Sequence, residues 1–293
     1  MDLAALTTRV VPLAELSQWS PWPSRLLGLS EWQTPHRDTE KVDNEYDKDK
    51  YARCLAFLKE HEGAVTPKDV RAFELHIDPL KSTCVSNKGV LYEMPQNKIM
   101  LTNANLLQET MDPLMKEANI VVELGCGYGY PLWILRQNFP KKKFIGGELS
   151  KNAVEIARIL YADDPMITVE HCNLYDHSYG PLEQCPRDAK VIVFTRHAIE
   201  QLPSAAVFLK TLTQYFDRLV AVVHLEVIPE YDEHSLLDLM RQRYMIMNDY
   251  NHDLLKLLRE RNDIETMKIS YDEVGQNPLN PTSVIVWKPR RTS

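Results

Sequence analysis

Residues 120–135 read Ile-Val-Val-Glu-Leu-Gly-Cys-Gly-Tyr-Gly-Tyr-Pro-Leu-Trp-Ile-Leu. A β-branched apolar run, Ile120 to Val122, ends in Glu123 and Leu124. Glycines follow at alternate positions, Gly125, Gly127 and Gly129, and an apolar helix-compatible run begins at Leu132. This is the pattern of a strand, a glycine turn and a helix. It opens a doubly wound α/β sheet, in which ligands sit beyond the carboxyl ends of the strands. Glycine suits such a turn because the chain needs unusual φ values and a ligand must approach bare backbone.

Glycine loops serve several nucleotides, and the neighbouring residues narrow the choice. A dinucleotide fingerprint would place its third glycine at 130, where Tyr130 stands. A phosphate-binding P-loop would end in Gly-Lys-Ser/Thr, and Pro131-Leu132 has no such character. The stretch resembles motif I of the class I S-adenosylmethionine-dependent methyltransferases, in which an acidic residue stands two before a G-x-G-x-G loop. Glu123 fills that acidic position. A carboxylate there matches the ammonium of a methionyl group, and no pyrophosphate has to be cradled. The resemblance implies S-adenosyl-L-methionine as cofactor, held by Glu123, Gly125, Cys126, Gly127 and Gly129.

Later elements follow the same order. Phe144 to Glu148 reads as a second strand ending in a carboxylate about 20 residues beyond the loop, where ribose hydroxyls would be accepted. Leu149 adjoins it, and Ser150 can cap a helix running to Tyr161. Ile167 to Asp176 is a third strand with its exit, where the resemblance places the adenine against Asn173 and Leu174. Lys190 to Thr195 is a fourth, nearly continuous apolar strand suited to a sheet covered on both faces, and Thr195 at its end is assigned to the cofactor. Leu219 to Val223 is a fifth. A mostly helical stretch covers His234 to Arg261, and Ile264 to Ser270 with Thr282 to Trp287 form a terminal antiparallel hairpin. The expected fold is therefore α/β: a doubly wound, mostly parallel seven-stranded sheet over 118–293, preceded by a mainly helical extension over 1–117 that serves as a substrate lid.

Within that extension, Trp19-Ser20-Pro21-Trp22-Pro23 carries too much proline for a regular element, and Trp19, Trp22 and Trp32 need something to pack on. Amphipathic spacing predicts helices over Tyr46 to His61, from Thr66-Pro67 to before Pro79, and over Thr102 to Ala118. Asn87-Lys88-Gly89 marks a turn. Tyr92 to Asn97 is a second candidate lid segment.

Residues at the exits of the fourth and fifth strands are expected on the acceptor side of the methyl group. They are His197, Glu200, His224 and Glu226, followed by Glu230 to Glu233. Histidines supply a general base near neutral pH, and the acidic excess leans towards a cationic amine or guanidine acceptor. The Asn-Pro-Pro-Tyr/Phe signature of DNA and RNA adenine methyltransferases is missing after the fourth strand, and Asn277-Pro278-Leu279-Asn280-Pro281 lies far downstream. A net charge of −7 gives no nucleic-acid footprint.

No apolar run of membrane-spanning length or signal-peptide layout is present, so no membrane partner is expected. Five scattered cysteines without C-x-x-C spacing point to free thiols in a reducing, cytoplasmic setting and to no metal site. The expected activity is methyl transfer to a nitrogen or oxygen nucleophile of a small molecule. The alternatives are a protein or peptide methyltransferase, a nicotinamide-dependent oxidoreductase, and a non-catalytic nucleoside-binding module. Acceptor identity and oligomeric state are not legible.

Overall fold

A computed structural model describes residues 3, 6–61, 64–228 and 234–290. Its main sheet contains β4 (Ile120–Leu124), β5 (Lys143–Glu148), β6 (Ile167–His171), β7 (Val191–Arg196), β8 (Leu219–Glu226), β9 (Ile264–Val274) and β10 (Thr282–Pro289). The strands lie in the order β6-β5-β4-β7-β8-β10-β9. The first five run parallel, and β10 is antiparallel to both of its neighbours. Every residue of β4 is buried, as is Val191 to Thr195 in β7. A strand covered on both faces has no polar side to present, which explains the mostly apolar runs.

Short-range chemistry sets the helix starts. Gly129, at φ 78°, leads into Tyr130–Asn138 with Pro131 in the first turn. The Ser150 hydroxyl accepts the Ala153 N–H at 3.0 Å and opens Lys151–Leu160. Thr66 and Asp69 form a reciprocal capping box at the head of Pro67–Glu74. The stretch expected to be helical over 234–261 is two helices, Leu236–Met247 and Leu254–Arg259. Between them Asp249 takes φ 52°, and the Asn251 side chain accepts the N–H groups of Asp253 and Leu254.

The N-terminal part is less helical than its sequence suggests. It contains an antiparallel sheet of β1 (Arg9–Val10), β2 (Ser82–Asn87) and β3 (Val90–Pro95), ordered β1-β3-β2. The turn signal joins β2 to β3 with Lys88 at φ 49° and Gly89 at φ 79°, the pair of positive values a tight hairpin uses. The proline-rich tryptophan segment is also more regular than expected. It forms helices Leu16–Trp19 and Trp22–Leu26, with Pro23 at an early position where no N–H is needed. Trp22 packs edge-on to Trp32 at 4.6 Å and to Tyr244 at 4.4 Å between ring centres. The helix expected from Tyr46 begins as a π-helix, Asp43–Tyr51, and continues as Ala52–Glu60. The helix expected over 102–118 runs Ile99–Met115.

One core crosses the expected boundary at 117/118. Tyr51, Leu55, Leu58, Val70, Leu107 and Met111 pack with Leu132, Leu135, Ala153, Ile156 and Phe194. Each leucine, isoleucine, valine, methionine or phenylalanine among them contributes about 1.5–3 kcal/mol on burial, so the extension is fastened to the sheet. A second core lies on the other face around Val122, Val193, Phe208 and Trp287.

Two features position the site. Strand β8 runs three residues further than expected because β10 pairs with it as far as Ser283 opposite Glu226. His224 and Glu226 therefore lie on the strand and not beyond it. Since β10 starts where β8 ends, the connection 275–281 falls at the same end of the sheet as the glycine loop.

Candidate active site

A cavity of about 500 Å³ opens at the carboxyl ends of β4, β5 and β7. The glycine loop forms its floor. Gly125 and Gly127 hold φ 77° and 57°, and each is pressed by a neighbour. A Cβ at Gly125 would stand 2.3 Å from that of Ala198, and one at Gly127 would stand 2.5 Å from the Tyr51 hydroxyl. Cys126 lines the cavity beside them. Gly129 does not, because its missing side chain faces Val169, Tyr161 and Leu132 inside the fold.

Glu148 ends β5 with both carboxylate oxygens anchored. Oε2 accepts the Gly127 N–H at 2.7 Å and Oε1 accepts the Ser150 N–H at 2.9 Å. Burial raises its pKa against those two bonds. Each oxygen retains a lone pair, so the group is held rigidly and still has acceptor capacity towards the cavity it lines. Leu149, Cys172, Asn173, Leu174 and Tyr175 continue this wall. The Asn173 carbonyl oxygen accepts the Tyr175 N–H at 3.1 Å, which ties that side chain into the turn. Leu174, a buried side chain that lines the cavity, supplies apolar surface there.

Glu123 is 1% exposed, and its Oε2 is buried with no hydrogen-bond partner. Burial pushes its carboxyl well above the usual range, opposed by the charge of Arg196. An unpaired buried acceptor is costly, and an ammonium delivered by a ligand would satisfy it. The residues present thus fit the cofactor implied by the sequence: a bare loop, a carboxylate for hydroxyls and a second carboxylate lacking a donor.

The extension closes the cavity from above with Val42, Tyr46, Lys50 and Tyr51. Asp47 secures that segment, its Oδ1 accepting the Ser150 hydroxyl at 2.5 Å and the Asn152 N–H at 2.8 Å. Glu74, buried beneath, takes Lys50 Nζ at 2.6 Å, Arg71 Nη1 at 2.6 Å and the Tyr128 hydroxyl at 3.0 Å. Burial alone would raise its pKa, but Arg71 and Lys50 bring it down to about 2. Residues 92–97 do not line the cavity.

At the opposite end, His197 sits at φ 48° in the left-handed region, where a side chain is strained. Its ring is fixed on both sides, with Nδ1 2.9 Å from Glu200 Oε2 and Nε2 2.7 Å from Thr282 Oγ1. Glu200 also accepts from Gln201 Nε2 at 3.0 Å and Asn280 Nδ2 at 3.4 Å. Burial works to raise the Glu200 pKa, but His197 and Asn280 hold it below the usual value. An ionised Glu200 fixes the tautomer: Nδ1 carries the proton, and Nε2 accepts from Thr282. The buried Oδ1 of Asn280 has no partner.

Of the residues expected here, Glu123, Gly125, Cys126, Gly127, Glu148, Leu149, Asn173, Leu174, His197 and Glu200 line one cavity. Gly129, Thr195, His224 and Glu226 do not. His224 is wholly buried in the sheet, where Thr195 Oγ1 bonds its Nδ1 at 2.9 Å and the Trp287 indole donates to its Nε2 at 3.0 Å. Burial lowers its pKa to about 3. Glu226 accepts the N–H groups of Ala198, Ile199 and Glu200 at 3.1, 3.2 and 3.4 Å, so it shapes the loop that carries His197 and Glu200. Burial and the neighbouring Glu200 raise its pKa to about 7. Glu230 to Glu233 lie outside the described residues.

Sequence reasoning missed Tyr46, Lys50, Arg71, Arg196, Asn280 and Thr282, all of which line the cavity. For Asn280 and Thr282 a signal existed: a hairpin with one arm antiparallel to the fifth strand must turn at the ligand end. All five cysteines are free and buried. Among the described residues no cluster of three or more metal-ligating side chains occurs, and no helix is long and apolar enough to cross a membrane.

No family model matches the chain, and no curated protein matches it. Solved structures similar to it include the pyocyanin biosynthetic protein PhzM, at 17% identity and a TM-score of 0.47 over 67% of this chain. The chain spans only 58% of the length of that protein. Geranyl diphosphate C-methyltransferase from Streptomyces coelicolor A3(2) aligns at 11% identity and a TM-score of 0.48, over 67% of this chain and 81% of that one. Magnesium protoporphyrin IX methyltransferase from Synechocystis PCC 6803 aligns at 11% identity and a TM-score of 0.45, over 67% and 87%. Independently of those alignments, the strand order and the reversed strand β10 make this the Rossmann-like α/β fold that the resemblance of motif I implies.

Proposed function

We propose that the protein is an S-adenosylmethionine-dependent methyltransferase acting on a nitrogen or oxygen nucleophile of a small molecule, with an amine or guanidine as the favoured acceptor. The observation that carries this reading is the partnerless Oε2 of Glu123, buried beside a bare glycine loop and across from the anchored carboxylate of Glu148. Bound there, the cofactor would supply an electrophilic methyl group on a sulfonium. Glu123 would take its ammonium, Glu148 its ribose hydroxyls, and the Leu149 and Cys172–Leu174 wall its base.

The remaining residues act on the acceptor. Glu200 stays ionised and holds Nδ1–H of His197, leaving the Nε2 lone pair on Thr282. The acceptor's proton passes to Thr282 Oγ1 as Thr282 gives its own to Nε2, and Glu200 stabilises the imidazolium. General-base help of this kind contributes about 10²–10⁴ in rate. The negative charge of Glu200 and the unpaired Oδ1 of Asn280 favour an acceptor that carries N–H donors. The segment over 39–51 serves as the lid: it brings Val42, Tyr46, Lys50 and Tyr51 to the cavity, beside Arg71, Glu74 and Asn103 from the rest of the extension.

Thermal unfolding with S-adenosylmethionine, S-adenosylhomocysteine and NAD tests the assignment, because a ligand at 100 times its dissociation constant stabilises by about 2.7 kcal/mol. Stabilisation by the first two and not by NAD is expected. Transfer of labelled methyl to a panel of amines, guanidines and phenols then tests the acceptor class. Stabilisation by NAD alone would overturn the reading.

A further inference from the structure

Arg37 lies just ahead of the helix Thr39–Val42, where the chain leads into the lid, and is 3% exposed. It does not line the cavity. Its Nε donates to the Asn248 carbonyl at 3.0 Å, and its Nη1 donates to Glu45 Oε2 at 3.0 Å and to Gln201 Oε1 at 2.7 Å. The face of Tyr250 covers the guanidinium at 4.9 Å. Taking a guanidinium out of water is unfavourable. Its carboxylate partner Glu45 is itself 41% exposed, so that ion pair alone would be made as well at the surface.

The inward contact is the informative one. An arginine only donates and an ionised carboxylate only accepts. The Gln201 amide therefore has one orientation, with Oε1 towards Arg37 and Nε2 donating to Glu200 Oε1 at 3.0 Å. Glu200 Oε2 in turn takes Nδ1–H of His197, whose Nε2 meets Thr282. Burial works to raise the Glu200 pKa, and the charges of His197 and Arg37 oppose it. The other titratable groups that its charge affects are Glu226 from β8, Tyr46 from Asp43–Tyr51, Tyr244 from Leu236–Met247 and Tyr250 beyond that helix. None of these four is a cation. We infer that Arg37 is a positioning residue of the general base: through Gln201 it turns an N–H onto Glu200, keeps that carboxylate an acceptor for His197 Nδ1–H, and so keeps Nε2 an acceptor for the proton that Thr282 gives up. This rests on the function proposed above. It adds that the base is set from the segment that leads into the lid, so it is ready only when that segment is seated.

The histidine ring reports its own state, and no acceptor is needed to read it. In long-range nitrogen–proton spectra of the full chain, with His197 assigned by His197→Gln, the neutral ring of wild type should carry its proton on Nδ1. Gln201→Met leaves Arg37 its bonds to Glu45 and Asn248. Without the amide N–H, Glu200 is more readily protonated, and a protonated Glu200 donates to Nδ1. The Nε2–H form should then be at least as abundant as the other. Arg37→Met should have the same effect, and should add nothing in the Gln201→Met background. Arg37→Lys keeps a charge and a donor and should retain the wild-type signature. If Arg37→Met does not fold, Gln201→Met and Arg37→Lys decide the matter. In calorimetry Arg37→Met should keep S-adenosylhomocysteine affinity within twofold of wild type. An unmoved Nδ1–H signature in Gln201→Met would overturn the inference while leaving the methyltransferase reading intact. Additive changes in the double variant, or loss of S-adenosylhomocysteine affinity in Arg37→Met, would overturn it too, since Arg37 would then only be holding the fold. Failure of the wild type to bind S-adenosylhomocysteine would remove the methyltransferase reading and this inference with it, a result distinct from the others.

Discussion

His197 Nε2 and the Thr282 hydroxyl lie 2.7 Å apart, although 85 residues separate them, and Glu200 fixes the other face of the same ring. A base whose lone pair is already occupied works through the group that occupies it. Thr282→Val should therefore lower methyl transfer to an accepted amine or phenol by about 10²–10⁴, as should His197→Ala. S-adenosylhomocysteine affinity should stay within twofold in both. Thr282→Ser should restore most of the rate. A Thr282→Val enzyme as fast as wild type would mean that the ring turns to meet the acceptor directly.

Gly127 and Tyr51 are coupled by space. A methyl at Gly127 would meet the Tyr51 hydroxyl at 2.5 Å on a backbone already at φ 57°. Gly127→Ala should weaken S-adenosylhomocysteine binding at least tenfold and loosen the segment over 43–51. Tyr51→Phe, which removes the obstructing oxygen, should recover part of that loss, so the double variant binds better than the sum of the single effects predicts. Strict additivity in calorimetry would show that the backbone angle alone is responsible.

Glu148 offers a graded change. Glu148→Ala removes the acceptor of two backbone N–H groups as well as any hydroxyl partner. Its affinity for S-adenosylhomocysteine should fall by about 1.5–3 kcal/mol, the range for hydrogen bonds to a charged group. Glu148→Gln keeps one acceptor but turns an NH₂ towards a backbone N–H, and should lie between. Unchanged affinity in the alanine variant would make Glu148 a loop anchor alone.

The sheet was legible because parallel strands buried on both faces have to be largely apolar, as β4 is apart from Glu123 and β7 is from Val191 to Phe194. The places of Gly125, Gly127 and Glu148 at the cavity were legible because they follow from residue type at fixed spacing along the first two strands of the sheet. What escaped was set by distance in space. The ladder with β10 extends β8 and carries His224 and Glu226 into the sheet, and no local pattern announces that. Arg71 and Lys50 sit on helical segments whose periodicity is satisfied by their apolar neighbours, so their meeting at Glu74 leaves no trace in spacing. Asn280 was passed over for its distance along the chain, which a hairpin turn cancels.

His224 makes the last prediction, one of stability and not of turnover. The Trp287 indole can only donate, so His224 Nε2 must accept and Nδ1–H must point at Thr195 Oγ1. Protonating Nε2 would set N–H against N–H in a site with no exposure. The folded-state pKa of about 3 lies below the unfolded value of about 6.5. The ring's contribution to stability is therefore complete above pH 6.5 and is lost as the pH falls towards 3, at a limiting slope of about 1.4 kcal/mol per pH unit. His224→Gln, which can accept from Trp287 and donate to Thr195 without titrating, should flatten this acid limb. Urea unfolding at pH 7 and pH 5 measures it: wild type should lose more stability between the two than the variant, by at least about 1 kcal/mol. Glu226 acts in the opposite sense, since its carboxyl is raised to about 7 and its contribution fades as the pH rises from about 4.5 to 7. Comparing each pH series within one background cancels that effect. Parallel losses in wild type and His224→Gln would show that the ring is charged in the folded protein, and would return His224 to the list of available bases.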